Sequence, residues 1–207
     1  MREIDLTTWD RAIHYQVFRN RVQPHYCVSF DLDITKFRTK VREKGFSFTF
    51  SFMYAVTKCA NQIENFRYRF VNGKPAIFDT INTSVTYLNK ETELFKVVNI
   101  PMQSSLDEYV TLAKRTEENQ SEYFTTSGMG NDIYQFSPLP WVSFTHISNT
   151  DTGDKDSATP IFHWGKYYER DGKVLLPFSV QVHHSFVDGL HIGKLAQILQ
   201  EYLDTVV

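Results

Sequence analysis

The residues best suited to chemistry lie near the end of the chain, in Val180-Gln181-Val182-His183-His184-Ser185-Phe186-Val187-Asp188-Gly189. A histidine suits proton abstraction because its ordinary pKa, about 6.5, lies close to working pH. As a general base on a bound substrate, His184 needs one ring nitrogen aimed at the substrate and the other anchored. Asp188 is spaced either to accept a bond from that ring or to pair with a cation elsewhere and fix the turn. Spacing alone favours a blander reading, a strand-end histidine hydrogen-bonded to a loop. The complete His-His-x-x-x-Asp-Gly pattern, set between a strand and a helix, is much rarer by chance.

Other chemistries find little support. Gly128-Met129-Gly130 lacks the strand-to-helix setting of a phosphate-binding loop. The seven histidines (14, 25, 146, 163, 183, 184 and 191) show no metal-ligand spacing with cysteine, so no metal site is expected. No Gly-x-Ser-x-Gly supplies a nucleophile. A base acting on the substrate directly is what remains.

The elements that would position His184 follow from periodicity. Alternation puts Val180, Val182 and His184 on one strand face and Ser179, Gln181 and His183 on the other. His184 thus leaves a packed strand at its end, where a side chain is held rigidly yet reaches a cleft. Gly189 permits a turn that a Cβ would hinder. Leu195, Ile198, Leu199 and Tyr202 mark the apolar face of a final helix.

Earlier in the chain, Thr7-Thr8-Trp9-Asp10 has the spacing of a capping box, which predicts a helix to about Phe18 with Trp9, Ile13 and Val17 on one face. Arg19 at its end reads as solvated. Residues 26–32 alternate as a strand, and Ile34, Phe37 and Val41 have helical spacing closed by Gly45. The apolar stretch 48–63 lacks Gly and Pro and reads as a buried helix. Asn72-Gly73 turns a hairpin between residues 66–71 and 76–78. Strands are expected at 84–88, 94–100, 140–147, 160–168 and 174–184. A helix is expected around Leu106, Tyr109, Val110 and Leu112, and polar loops at 117–132 and 148–159. Helices and strands mix without regular alternation, which predicts an α/β (α+β) fold with a mixed β-sheet and helices packed on it.

The 207 residues fit one domain spanning 1–207. A net charge of -2 with scattered Lys and Arg points away from a nucleic-acid partner. Cys27 and Cys59 read as small buried hydrophobes. No signal-peptide run or membrane span is present in the sequence, so a cytoplasmic protein without a membrane partner is expected.

The stretch His183 to His191, preceded by Leu176-Pro177-Phe178-Ser179-Val180-Gln181-Val182, resembles the active-site signature of the chloramphenicol acetyltransferases. Asp31-Leu32-Asp33-Ile34-Thr35, Glu91-Thr92-Glu93-Leu94-Phe95, Pro138-Leu139-Pro140-Trp141-Val142-Ser143-Phe144 and Gly165-Lys166-Tyr167 follow in that family's order, so the resemblance covers nearly the whole chain. It implies the CoA-dependent acyltransferase fold and direct transfer from acetyl-CoA to an acceptor hydroxyl, without a covalent enzyme intermediate. On this resemblance His184 matches the general base. Ser137 matches the serine that stabilises the tetrahedral oxyanion, a donor worth roughly 3 kcal/mol. Asp188 and Arg19 match a buried pair that shapes the site, rather than an Asp–His relay. Tyr26, Phe95, Phe124 and Ile161 fall where the family lines its acceptor pocket, and Tyr167 near the CoA arm. The resemblance also implies a homotrimer with sites between subunits.

The chain departs from the family pattern in the acceptor lining. His163 replaces a threonine that holds a water beside the oxyanion, Gln135 replaces an asparagine, and Asn149 stands where an apolar residue is expected. The same chemistry on a different small-molecule acceptor is therefore one alternative, and a non-catalytic small-molecule-binding trimer another.

Overall fold

Strand β10, Lys173–His183, is the hub of the computed structural model, which describes residues 1–124, 130–150, 153–154 and 156–205. It runs antiparallel to β2 (His25–Asp33), from Leu175 opposite Asp33 to His183 opposite His25. On its other side it pairs antiparallel with β8 (Ile161–Trp164), and near its start with β9 (Tyr168–Arg170). Strand β7 (Ile133–Phe136) lies parallel to both β8 and β5 (Asn82–Leu88), and β6 (Phe95–Ile100) closes the edge antiparallel to β5. The order is β2-β10-β8-β7-β5-β6, a mixed sheet as the sequence leads one to expect.

A smaller sheet joins β1 (Arg2–Glu3), β4 (Lys74–Ile77) and β3 (Tyr68–Val71). Its hairpin turns at Asn72 and Gly73, both left-handed with φ of 51° and 77°, the conformation that an Asn-Gly pair tolerates best. The helices are α1 (Ala12–Arg19), α2 (Thr35–Glu43), α3 (Phe48–Asn61), α4 (Leu106–Asn119) and α5 (Gly189–Thr205). Among the described residues, no helix is long and apolar enough to cross a membrane.

Strand alternation divides the large sheet into two unlike faces. Val85, Val98, Phe136, Phe162, Phe178, Val180 and Val182 join the core under the helices. The register then brings the alternate residues into one row on the other face: Ser84 beside Gln135, Gln135 beside Ile161, Ile161 beside Gln181, and Gln181 beside Cys27. That face is rich in hydroxyls and amides, and the candidate site lies on it.

Helix α3 fills the core as its composition predicts. Ser47 caps it, and every residue from Phe50 to Thr57 is buried. The Phe52 ring meets Phe37, Trp164 and Phe178 edge-on at 5.2 to 6.4 Å. Full burial of each such ring contributes about 2 kcal/mol. The Ser105–Glu108 capping box starts α4.

Two expectations fail. Helix α1 begins at Ala12, because Asp5 accepts bonds from the Thr7 amide and hydroxyl and closes a turn there instead. Its inward residue is Tyr15, while Ile13 and Val17 are 73% and 48% exposed. Residues 140–147 form no strand. Pro138 and Pro140 remove ladder donors, and the chain leaves the sheet after an isolated bridge between Leu139 and Gly165. Gly165 admits this crossing, since a Cβ there would stand 2.6 Å from the Val142 carbonyl. The strand in this region is β7, too short to show a clear period between a polar loop and Pro138. The loops expected at 117–132 and 148–159, including Gly128-Met129-Gly130, fall partly outside the described residues.

Candidate functional site

The His184 turn is held from every side. Strand pairing runs one residue past β10, where the His184 amide donates to Pro24 O at 2.9 Å. The imidazole stacks flat on Phe18, with centroids 3.8 Å apart and planes 5° from parallel, and Tyr26 covers it at 4.6 Å. Tyr26 Oη donates to Val187 O at 3.2 Å, and burial pushes its phenol up to about 12.

Arg11 ties this turn together. Its Nη1 and Nη2 donate to the two Asp188 oxygens at 2.6 Å each, in the fork geometry that suits a carboxylate. Its Nε donates to Ser185 O at 2.8 Å, and Nη2 also to His184 O at 3.0 Å. The Arg11 bonds hold the Asp188 carboxyl below its ordinary range. His184 Nδ1 lies 3.2 Å from Asp188 Oδ1 but lacks a hydrogen-bond alignment. Asp188 therefore serves the arginine, and an Asp–His relay is absent.

This corrects the expected partner of Asp188. Arg19 pairs with Asp156 and lies over the Phe70 ring at 4.2 Å. Arg11 precedes α1 and Arg19 ends it, so the two arginines leave the helix at opposite ends. The sequence reading passed over Arg11; its position two residues after Trp9, which anchors the segment against Tyr68, is the only local signal.

Two cavities flank Ser137. The first, about 520 Å³, lies against the polar sheet face, and Tyr26, Ser84, Gln135, Ile161, His163 and Gln181 contribute to its wall. Asn149 closes one side by donating to Gln181 Oε1 at 2.6 Å. The second, about 760 Å³, is mostly apolar and is lined by Tyr87, Phe95, Trp141, Trp164, Tyr167 and Leu176 among others. Ser137 and Thr86 belong to the walls of both. Thr86 escaped the sequence reading because a strand threonine carries no signal until its register is known.

His163 is 3% exposed and sits directly behind Ser137, its Nδ1 3.0 Å from the Ser137 carbonyl oxygen. A carbonyl only accepts, so Nδ1 carries the proton of that bond. Burial lowers the His163 pKa, which keeps the ring neutral. Its Nε2 is buried and has no hydrogen-bond partner among the described residues.

The other expected residues divide by place. Tyr26, Ile161 and His163 line the polar cleft, whereas Phe95 lines the apolar groove. Phe124 is 62% exposed, meets Phe95 edge-on at 5.7 Å and lines neither cavity. Tyr167 lines the groove, its hydroxyl receiving Arg38 Nη2 at 3.0 Å. His184 lines neither cavity, although Tyr26, which covers it, lines the cleft.

Known proteins resemble this chain along most of its length. The family model described as Chloramphenicol acetyltransferase matches residues 1–200. The chain is similar to Chloramphenicol acetyltransferase 2 of Escherichia coli, with 30% identity over 99% of this chain and 97% of that protein. It is 32% identical to a chloramphenicol acetyltransferase of Streptomyces acrimycini, covering 97% and 93% of the two chains. A solved chloramphenicol acetyltransferase superposes with a TM-score of 0.91 at 25% identity, over 98% of this chain and all of the other. A probable dihydrolipoamide acetyltransferase from Listeria monocytogenes shares the fold, with a TM-score of 0.67 at 17% identity over 97% and 92% of the two chains.

Proposed function

The chain belongs to the chloramphenicol acetyltransferase family, and on that premise we propose that it moves an acetyl group from acetyl-CoA directly to a hydroxyl of a small molecule. The observation that carries this reading is the position of Ser137, in the wall common to a polar cleft and an apolar groove. A hydroxylated acceptor in the cleft and the thioester arm in the groove meet there.

In this reading His184 removes the acceptor hydroxyl proton as the oxygen attacks the thioester carbonyl carbon. The Ser137 hydroxyl donates to the oxyanion of the tetrahedral intermediate. The intermediate collapses with cleavage of the C–S bond. The proton returns from the imidazolium to the departing sulfur, giving CoA thiol and acetyl ester. Stacking on Phe18 and the Arg11 clamp hold the imidazole in place, so little reorganisation accompanies proton transfer. Tyr167, which accepts from Arg38 and lines the apolar groove, is assigned to the CoA arm on this reading.

A trimer follows from the same reading. His184 is outside the cleft of its own chain, which supports a base supplied to the cleft of a neighbouring copy.

The test is CoA thiol release from acetyl-CoA with chloramphenicol, against a no-acceptor control and the His184→Ala protein. Acceptor-dependent release should fall about 1,000-fold in the variant, with its circular dichroism and assembly mass unchanged. Undiminished release in the variant would remove His184 from the reaction. No release by the wild type would remove chloramphenicol as the acceptor.

A further inference from the structure

The turn that carries His184 leaves its strand before the next helix begins, so its carbonyls lack ladder partners. Four in succession are met by side chains instead. His184 O receives Arg11 Nη2 at 3.0 Å, and Ser185 O receives Arg11 Nε at 2.8 Å. Phe186 O receives Asn65 Nδ2 at 2.8 Å, and Val187 O receives Tyr26 Oη at 3.2 Å. A carbonyl only accepts, so the Asn65 amide presents its nitrogen there. Backbone groups taken out of water need such partners. Arg11 and Tyr26 already belong to the site, whereas Asn65 comes from a segment 121 residues before Phe186.

Asn65 stands on a rigid platform. It lies in a 3₁₀ turn, Glu64–Arg67, whose Phe66 ring is fully buried and stacks on Phe162 at 6.2 Å. Arg69 Nη1 donates to Phe66 O at 2.8 Å and its Nη2 to Ile133 O at 2.8 Å, which ties the turn to the start of β7. Across the bond, the Phe186 ring is wedged among Trp9, Tyr68 and Phe70, with centroids 4.7 to 6.4 Å apart. With the ring fixed, the freedom left to this stretch is rotation of the peptide joining Phe186 to Val187, and the Asn65 bond orients that peptide. The next carbonyl along is the one Tyr26 holds, and Tyr26 covers the His184 ring at 4.6 Å.

We propose that Asn65 is a positioning residue for the general base: by fixing the Phe186–Val187 peptide it keeps Tyr26 and Phe18 closed on the imidazole of His184. The inference rests on the acetyl-transfer reading. Asn65 lines neither cavity, so its loss should slow the chemical step without weakening acetyl-CoA binding.

The test compares Asn65→Ala, Asn65→Asp and Asn65→Gln with the wild type. Asn65→Asp keeps the shape but removes the donor, and Asn65→Gln keeps a donor amide. CoA thiol release is followed with chloramphenicol as acceptor, and the His184 ring is followed by NMR of protein carrying isotope-labelled histidine. Asn65→Ala and Asn65→Asp should each lower kcat about tenfold at unchanged KM for acetyl-CoA, and Asn65→Gln should recover part of the loss. The His184 resonances, assigned by their absence from His184→Ala, are shielded by the Phe18 face and should move downfield in both variants that lack the donor. Wild-type kcat in Asn65→Asp would overturn the proposal. So would a loss confined to KM for acetyl-CoA, or His184 resonances that stay at their wild-type positions. If the wild type transfers no acetyl group to chloramphenicol, the resonances decide alone. A shift in Asn65→Asp would then sustain the Asn65 assignment while that transfer reading fails, and no shift would overturn the assignment as well.

Discussion

Around His184 the turn is held by the arginine and the rings, although His184 Nδ1 itself makes no hydrogen bond among the described residues: Arg11 satisfies the Asp188 carboxylate and two backbone carbonyls, and rings pack both sides of the imidazole. The cleft wall behind Ser137 is built the other way. Gln135 is exposed to the cavity, and the hydroxyl-bearing Ser84, Thr86 and Ser137 are in its lining. The contrast separates two jobs. A group that must be aimed is immobilised by packing and by bonds to its backbone, whereas a surface that must recognise a ligand keeps polar groups turned toward the cavity. The polar row costs little in the free protein because most of it faces the cavity.

The comparison can be broken or sharpened experimentally. Ser137→Ala should lower kcat about 100- to 1,000-fold with little change in melting temperature. A fall in melting temperature of several degrees would mean that the hydroxyl serves the fold instead. Arg11→Ala should cost about 3 kcal/mol of stability, because it strands a partly buried carboxylate. Arg19→Ala should cost about 1 kcal/mol, less than Arg11→Ala, since Asp156 is 42% exposed and water replaces the lost partner. Denaturant unfolding of the two variants side by side decides which arginine holds the turn, and equal losses would refute the clamp assigned to Arg11.

A pH-dependent effect concerns His183, packed between Phe70 and Phe186 and accepting the Ser185 amide at Nδ1. Burial pushes its imidazole down to about 3. Below an unfolded pKa of about 6.5, the unfolded chain takes up a proton that the folded chain refuses, so stability falls as pH falls. The loss begins near pH 6.5 and approaches about 1.4 kcal/mol per pH unit toward pH 5, His163 adding in the same direction. Melting curves between pH 5 and 7.5 should show this slope, and His183→Gln should flatten it. A flat wild-type profile would mean that water or a partner reaches these rings.

What the chain reveals locally follows its short-range patterns. The buried helix α3, the Asn72-Gly73 hairpin and the strand-to-helix setting of His184 and Asp188 are legible because they depend on neighbours a few residues apart. The family signature likewise sits in contiguous residues. Two local signals misled: Trp9, Ile13 and Val17 have helical spacing but share no buried face, and the alternation of 140–147 was interrupted by prolines.

The partnerships that make the site depend on the tertiary structure. Arg11 meets Asp188 across 177 residues of sequence, and spacing near either one cannot choose between Arg11 and Arg19. Ser137 becomes the meeting point of two cavities only when β7 and β8 lie side by side, with β5 beyond them. The proton on His163 is fixed by a carbonyl 26 residues away. Residue types set which bonds are possible, but long-range register and burial decide which of them form, because each depends on groups brought together only by folding.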